Sequence, residues 1–546
     1  MPTDELVFLP LGGSGEIGMN FNAYGFGPPE RRRWIVVDCG VTFGRETDSP
    51  GVDLILPDIG YLAERRQDVL AIIATHGHED HIGAIALLWP MLRCPIYATP
   101  FTARLIEAKL EEQGVSQKVG EVGLGGRLKL GPFTVDFISI THSIPEPNLL
   151  AIRTSLGVVV HTGDWKLDPQ PLLGKATDAD AIRKLGEEGV LALVCDSTNA
   201  LLPGHSGSES EVRDSLVTLV GGLKGRIAVT AFASNVARLD SIAHAACANG
   251  RKVALLGRSM HRIVEAARSS GYLKDFPSAV DAAEAQGLPP SRVLFLVTGS
   301  QGEPRAALAR IAAGTHPDVR LGKGDAVIFS SRVIPGNEVA IFALHNRLCA
   351  LGVEVLTAEE HFVHVSGHPA REELAEMYRW TRPRIAVPVH GELRHLSEHA
   401  RLARSLQVSE ALVPANGQLY RLAPGQAQLI DEVPSGRIHL DGRVLVGEGE
   451  GLAKARRAMG HAGLLAITLV LDGKGRPAAD AAILGEGLPR PVADAVKNAV
   501  GGILNRHNPK NTDSADLQEA VRLAARRAAL DAWGKKPVTR VTVVEL

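Results

Sequence analysis

Aromatic residues are scarce in this chain: Phe, Trp and Tyr together make up 4% of 546 residues. That argues against a nucleic-acid surface built mainly on base stacking, which needs a supply of exposed rings. Cysteine is sparse as well. The five cysteines, Cys39, Cys94, Cys195, Cys247 and Cys349, are scattered and form no CxxC pair. An odd, isolated set excludes a disulfide framework and reads as reduced core thiols of a cytoplasmic protein. An excess of either charge is missing too, with 59 Lys plus Arg against 61 Asp plus Glu and a net charge of −2. The whole chain is therefore no basic magnet for nucleic acid, and a phosphate-binding surface has to be a local patch. No uninterrupted apolar run approaches membrane-spanning length, so no membrane association is expected. Asp4 and Glu5 stand where a signal peptide would carry a basic flank, and the apolar stretch Leu6 to Leu11 runs into a glycine-rich loop. Internal repeats and low-complexity tracts are absent.

What is present is the material of a globular protein: 45% apolar and 22% charged residues. At this length two or three domains are expected. The first ~200 residues alternate short apolar runs with glycine-rich turns. WIVVDCG (34–40), VLAIIAT (69–75), FTVDFISIT (133–141), GVVVHTGD (157–164) and VLALVCDS (190–197) all read as buried strands. From Gly204 to Gly352 strands such as RIAVTAFAS, KVALLGRS, RVLFLVTGS and DAVIFSSR alternate with helical runs such as VARLDSIAHAACANG. That alternation predicts a parallel α/β insert. Strand-like segments resume with VEVLTA and IAVPVHG, up to Ile430. The Pro- and Gly-bearing stretch DEVPSGRIHLDG reads as a linker, and a small α/β appendage follows. The appendage shows a strand LLAITLVLDG, an amphipathic helix over 514–533 and a final strand VTRVTVVEL.

The strongest chemical signal is Thr75-His76-Gly77-His78-Glu79-Asp80-His81, directly after the strand VLAIIAT. Imidazoles suit zinc and related transition metals, and a carboxylate makes the site hospitable to manganese. Four ligands from one loop, with more elsewhere, suggest two divalent ions. The others are found where apolar strands end: His142 after FTVDFISIT, Asp164 after GVVVHTG and His390 after RIAVPV. The expected arrangement places His76, His78 and His142 on one ion and Asp80, His81 and His390 on the other. Asp164 bridges them, since a carboxylate offers two oxygens. His161, His345, His361, His395 and His399 are expected to be structural.

HGHEDH resembles the HxHxDH signature of the metallo-β-lactamase superfamily. LGGSGEIGMN (11–20), THGHEDHIGA (75–84), HTGDWKLD (161–168), CDSTNA (195–200), TGSQGEP (298–304), IPGNE (334–338), VSGH (365–368) and PVHGE (388–392) resemble, in that order, the ribonuclease J family of its β-CASP branch. The resemblance implies an α/β fold: a metallo-β-lactamase αββα sandwich with an inserted β-CASP α/β domain and a small C-terminal α/β domain. The sandwich is expected over 1–204 and 353–430, with the insert over 205–352, a linker over 431–441 and the appendage over 442–546. The match is much looser in the last ~100 residues.

The same resemblance places Asp196 at the family's acidic motif and His368 and His390 at its second and third histidine motifs. Asp196 then orients His368, which contacts the scissile phosphate or protonates the leaving oxygen. Asp80 and Asp164 join them as catalytic residues. Ala233-Ser234-Asn235 and His364-Val365-Ser366-Gly367-His368 correspond to segments that line the nucleotide and 5′-phosphate pocket; hydroxyls, amides and a helix N-terminus suit an anion. The loop Gly12-Gly13-Ser14-Gly15 lacks a Walker lysine and reads as a tight turn near the metals. Pro369 and the stretch IPEPNLLAI after His142 depart from the family's pattern. Arg31-Arg32-Arg33 reads as a solvated turn.

The function so implied is a metal-dependent ribonuclease that degrades single-stranded, 5′-monophosphorylated RNA from its 5′ end, with endonuclease cleavage as a second mode. Two divalent ions per chain are expected, zinc first and manganese second. Location in the cytoplasm and a homodimer or homotetramer assisted by the appendage complete the picture. The alternatives are a small-molecule hydrolase on the lactamase fold, a β-CASP DNA nuclease and a non-enzymatic RNA-binding subunit.

Overall fold

Apolar runs bounded by turns in the amino-terminal half fold into two facing sheets in the computed structural model, which describes residues 3–44, 47–509 and 513–546. One sheet has eight strands, in the order Gln428–Glu432, Gln418–Ala423, Glu5–Gly12, Phe21–Gly27, Arg33–Val37, Val69–Ile73, Ile96–Ala98 and Val119–Glu121. The other has seven: Arg127–Leu130, Phe133–Ser139, Asn148–Thr154, Gly157–His161, Val190–Asp196, Ile385–Val389 and Glu410–Ala411. Their inner faces meet through Phe8, Tyr24, Ile35, Ile73, Phe137, Leu150, Val194 and Val387. The outer face of the seven-stranded sheet is covered by the helices Ala179–Glu188, Arg371–Thr381 and Leu393–Ser405, through Ile182, Leu374, Met377 and Leu402. The result is the expected αββα sandwich.

The insert's sheet is parallel throughout, in the order Lys252–Leu256, Val293–Val297, Ile227–Thr230, Ala326–Phe329 and Glu354–Leu356. Helices bury both of its faces, so its strands read as continuous apolar runs. Val229, Leu294 and Ile328 face one core, and Ala228, Phe295 and Val327 face the other.

Two expectations need correction here. Glu354–Leu356 pairs with Ala326–Ile328 inside the insert's sheet, and Val363 and Val365 join the insert's core. The insert therefore runs past residue 352. The stretch 431–441 is not a free linker. Asp431 and Glu432 end the strand Gln428–Glu432 of the eight-stranded sheet, and Arg437–Asp441 is itself a strand. Only the turn 433–436 separates them, and its proline and glycine mimic a longer break.

The chain divides into two compact units, one holding the residues up to Thr42 and Leu56–Gly436, the other Phe43–Ile55 and Arg437–Leu546. The early segment of the second unit was not expected from the sequence. Asp53 N–H donates to the Leu440 carbonyl at 3.0 Å, and the Arg456 guanidinium donates to the Pro50 carbonyl at 3.2 Å. This unit holds a three-stranded sheet, Ala482–Glu486, Leu464–Leu471 and Val538–Glu545, whose central strand alternates half-buried and buried residues. Leu465, Ile467, Leu469 and Leu471 pack on the helices Arg490–Leu504 and Ser514–Trp533. No helix of the described residues is long and apolar enough to cross a membrane.

Candidate metal centre

Four strands deliver the expected ligands because they end at one rim of the sandwich. Gly157–His161, Val190–Asp196 and Ile385–Val389 are parallel neighbours, with Cys195 opposite Pro388 and Asp196 opposite Val389. Asp164, Asp196 and His390 therefore leave the sheet side by side at its carboxyl edge, the usual position of sites in sheets with parallel strands. Val69–Ile73 of the facing sheet ends just before His76, and the short helix Glu79–Ile82 carries Asp80 and His81 back across the rim. Phe133–Ser139 ends ahead of His142.

The seven expected ligands fall into two groups that share Asp164. Potential ligand atoms of His76, His78, His142 and Asp164 lie within 4.8 Å of one another, and so do those of Asp80, His81, Asp164 and His390. His78 Nδ1 is 3.1 Å from both His76 Nε2 and His142 Nε2. Asp164 Oδ2 is 3.2 Å from His81 Nε2, and His390 Nε2 is 3.2 Å from Asp80 Oδ2. Burial pushes the imidazoles of His76 and His142 well below the ordinary histidine range and His78 down to about 4. Those three rings are neutral at neutral pH and offer lone pairs. Burial alone would raise the Asp164 carboxyl, but His390, His81 and His368 outweigh it and hold the group well below the carboxylate range. Asp164 Oδ1 is buried and accepts no hydrogen bond, although His390 Nδ1 lies 3.3 Å away. A buried anionic oxygen without a donor, ringed by imidazole nitrogens, fits a divalent cation.

Three further features position this centre, and of these Asp38 carried no sequence signal. Asp38, at φ 64°, accepts from His81 Nδ1 at 2.7 Å and from the Thr75 N–H at 2.8 Å. His81 is left with only Nε2 to offer. Gly367 O accepts from His142 Nδ1 at 2.5 Å, and a Cβ at Gly367 would lie 2.7 Å from that ring, so the approach requires glycine. The Gly12–Gly15 loop does lie at the centre: Gly13 O accepts from His390 N–H at 2.6 Å, and Ser14–Gly15 pairs with Gly391–Glu392.

Asp196 and His368 come together as well. His368 Nδ1 is 2.8 Å from Asp196 Oδ2, and Asp196 Oδ1 accepts from the Thr198 N–H at 2.8 Å. Burial opposes charge on His368, but Asp196 and Asp164 prevail and raise its pKa. The carboxylate only accepts, so the ring donates Nδ1–H to Asp196 and Nε2 is the nitrogen left over.

The two segments expected to handle phosphate are joined by Arg238, which the sequence did not mark. This arginine is fully buried and pairs with Glu209 at 2.9 Å. It also donates to Ser330 O and Val363 O, and at 3.3 Å to His364 Nδ1. Arginine cannot accept, so His364 Nδ1 is the acceptor and its proton sits on Nε2. Asn235 accepts from the Arg238 N–H at 2.9 Å and caps the helix Val236–Ala248, so its carbonyl oxygen is already engaged. Ala233 and Ser234 are half-buried in the turn before it. Ser366 Oγ accepts from Asn199 Nδ2 at 2.8 Å and from the His368 N–H at 3.1 Å, which leaves its hydroxyl proton to donate. Asn199 in turn accepts from Arg332 at 3.1 Å. Gln301, within TGSQGEP, donates to Arg332 O at 2.9 Å and accepts from the Ile334 N–H at 2.9 Å, so the two insert motifs hold each other.

Pro369 sits just ahead of Ala370, the N-cap of the helix Arg371–Thr381. Within IPEPNLLAI, Glu146 ties the sandwich to the insert by accepting from the Phe101 N–H at 2.8 Å and the Tyr272 hydroxyl at 3.0 Å. Arg32 is not solvated: it is buried against Glu5, and Arg33 lies 3.7 Å from Asp68. His161 bonds Tyr24, His399 bonds Ser197 and Tyr378, and His395 caps its own helix.

Fold and site together define a metallo-hydrolase of the lactamase superfamily carrying a β-CASP insert. The description "Metallo-beta-lactamase superfamily" matches residues 29–228, "Ribonuclease J, beta-CASP domain" 224–348, "Zn-dependent metallo-hydrolase RNA specificity domain" 352–414 and "Ribonuclease J C-terminal domain" 452–546. Ribonuclease J of Sinorhizobium meliloti is 48% identical, covering 100% of this chain and 98% of that protein. Ribonuclease J of Thermus thermophilus is 38% identical, covering 100% and 96%. A solved protein of unknown function from Enterococcus faecalis V583 shares the fold at a TM-score of 0.53 and 15% identity, covering 76% of this chain and 99% of that one. The chain belongs to the ribonuclease J family. It is a metal-dependent ribonuclease, and its substrate is RNA.

Proposed function

We propose that this ribonuclease removes nucleotides from the 5′ end of single-stranded, 5′-monophosphorylated RNA, using two divalent ions. The observation that carries the reading is the bond from His142 Nδ1 to Gly367 O at 2.5 Å. It fastens the loop His364–His368 to a candidate metal ligand, so a terminal phosphate held by that loop lies close to the next phosphodiester. Divalent ions held by His76, His78, His142 and Asp164, and by Asp80, His81, Asp164 and His390, supply an activated water and neutralise charge at phosphorus. Zinc is the first choice for an imidazole-rich set and manganese the second. Asp196 holds His368 with an N–H toward the cleft, where it contacts the scissile phosphate or gives its proton to the leaving oxygen. Ser366 O–H and His364 Nε2–H are the donors for the terminal phosphate, with Ala233, Ser234 and Asn235 shaping the far wall. Donors matched to a monophosphate exclude a bulkier triphosphate, and anchoring the end orients the first internucleotide linkage. Endonuclease cleavage is the second mode of the same centre. The five free thiols support work in the reducing cytoplasm.

The test is to incubate the protein with 5′-monophosphorylated and 5′-triphosphorylated RNA, with zinc or manganese, and to identify the products. Mononucleotides released from the monophosphorylated 5′ end are expected. Ser366→Ala should narrow the difference between the two ends while leaving metal content unchanged. Equal degradation of both ends by the unmodified protein, or release from the 3′ end, would refute the polarity and leave the metal assignment standing.

A further inference from the structure

A second cationic pocket lies at the opposite end of the insert's sheet. Ile227–Thr230 and Ala326–Phe329 run parallel, with Thr230 opposite Phe329, and Ser330 follows at the end near the cleft. Ahead of their first residues, Lys224, Arg226, Arg320 and Lys323 line a single pocket of about 560 Å³. Four to five residues at about 3.3 Å each put it roughly 15 Å from the Ser330 end.

None of these four side chains forms an ion pair with a carboxylate among the described residues. The Arg320 guanidinium donates only to the carbonyls of His316 and Val319 among the described residues. Arg226 donates to Gln286 O at 3.1 Å, and its Nε is buried without a partner. Lys224, Arg320 and Lys323 are exposed. The one carboxylate in the lining, Asp325, is 7% exposed and accepts from the N–H groups of Arg226 at 2.8 Å and Gly322 at 3.0 Å. It stabilises the turn more than it neutralises the pocket. In a chain of net charge −2, four clustered cations against one lining carboxylate are a local departure. The rim is also open to a close-approaching polymer: a Cβ at Gly322 or Gly324 would meet nothing within 4 Å. No aromatic ring lines the pocket, so it offers charge to phosphates and no stacking platform to bases.

We propose that this pocket is a second, sequence-independent binding site for the RNA phosphate backbone, holding a distal part of a long substrate whose end occupies the metal cleft. The proposal rests on the ribonuclease reading and adds a contact outside the catalytic groove. Phosphate contacts of this kind set affinity and position without reading sequence. Lys224, Arg320 and Lys323 are exposed, so the combined variant Lys224→Ala, Arg320→Ala, Lys323→Ala should fold.

The experiment compares that variant with the unmodified, metal-loaded protein on two unstructured RNAs. One is too short to leave the cleft; the other is several times longer. Binding is measured across a salt series, and turnover at fixed salt. For the long RNA the affinity at low salt should fall on the order of tenfold, and the slope of log affinity against log salt should shrink by about 2, three lost contacts at about 0.7 each. For the short RNA kcat and KM should stay unchanged. Unchanged affinity and slope on the long RNA overturn the proposal, leaving the pocket to a free anion or an acidic protein. Equal weakening on both lengths also overturns it, because the residues then act only through the field at the cleft. Failure of the unmodified protein to cut either RNA would instead strike the ribonuclease reading.

Discussion

His81 has one ring nitrogen to give, because Asp38 holds the other at 2.7 Å. Such a carboxylate fixes tautomer and ring orientation, and its loss typically weakens metal binding about 10–100-fold. Asp38→Asn should do the same here, read by titrating the metal-free protein with zinc; unaltered affinity would remove Asp38 from the centre. Asp164→Ala is more severe. It deletes the carboxylate shared by both candidate ligand groups, so turnover should vanish while the far-ultraviolet circular dichroism stays native. Near-normal activity in saturating metal would end the bridging assignment. The residues that the structure clusters as candidate ligands were legible because four of them crowd one loop and the others follow apolar strands. Asp38 was not, since its partner is 43 residues away and an isolated aspartate after a strand reads as a turn. Asn199 and Gln301 stand inside motifs the sequence had marked, but only packing across the insert shows that they hold Ser366 and Arg332.

The elements were easier to recognise than their partners. Continuous apolar runs revealed the parallel strands of the insert, since both faces are buried. Glu354–Leu356 misled because three residues with an exposed first position carry no period, and only pairing with Ala326–Ile328 assigns them to a sheet. The same dependence on packing makes the helix Val236–Ala248 a joint. Its Arg238 pairs with Glu209 at the start of the helix Glu209–Gly222 and reaches the carbonyls of Ser330 and Val363, so one guanidinium sets the spacing of three elements. Removing one partner of a buried pair costs about 3–5 kcal/mol, because the other charge is left uncompensated. Arg238→Met should lower the unfolding free energy by about that amount, and adding Glu209→Leu should recover much of it. Equal and additive losses in the two variants would show that the pair is not the source of the stability.

At the scale of the whole molecule, the carboxy-terminal unit poses a separate question of assembly. The helical stripe expected to favour self-association is used within the unit, since Leu517, Val521, Ala525 and Ala529 are buried against its own sheet. That helix retains Leu523 and Leu530 at its surface, but they stand beside Arg522, Arg526 and Arg527 and form no broad apolar face. The sheet offers a better surface. The helices Arg490–Leu504 and Ser514–Trp533 pack on the face that carries Leu465, Ile467, Leu469 and Leu471. On the opposite face Ala466 pairs with Leu484, and Val470 with Val544. Leu484 and Val544 are 58% and 42% exposed. A half-covered sheet whose free face carries exposed apolar residues is a candidate surface for association. If the expected homodimer or homotetramer forms through this unit, this face is the one to test. The combined variant Leu484→Glu, Val544→Glu introduces charge where no buried contact is lost, so the unit should remain folded while the mass measured by light scattering falls. Deleting 437–546 would be a poorer test, because Phe43–Ile55 folds with that region and would lose Leu440 as its strand partner. An unchanged mass for the folded double variant would exclude the sheet face as the interface, whatever the oligomeric state proves to be.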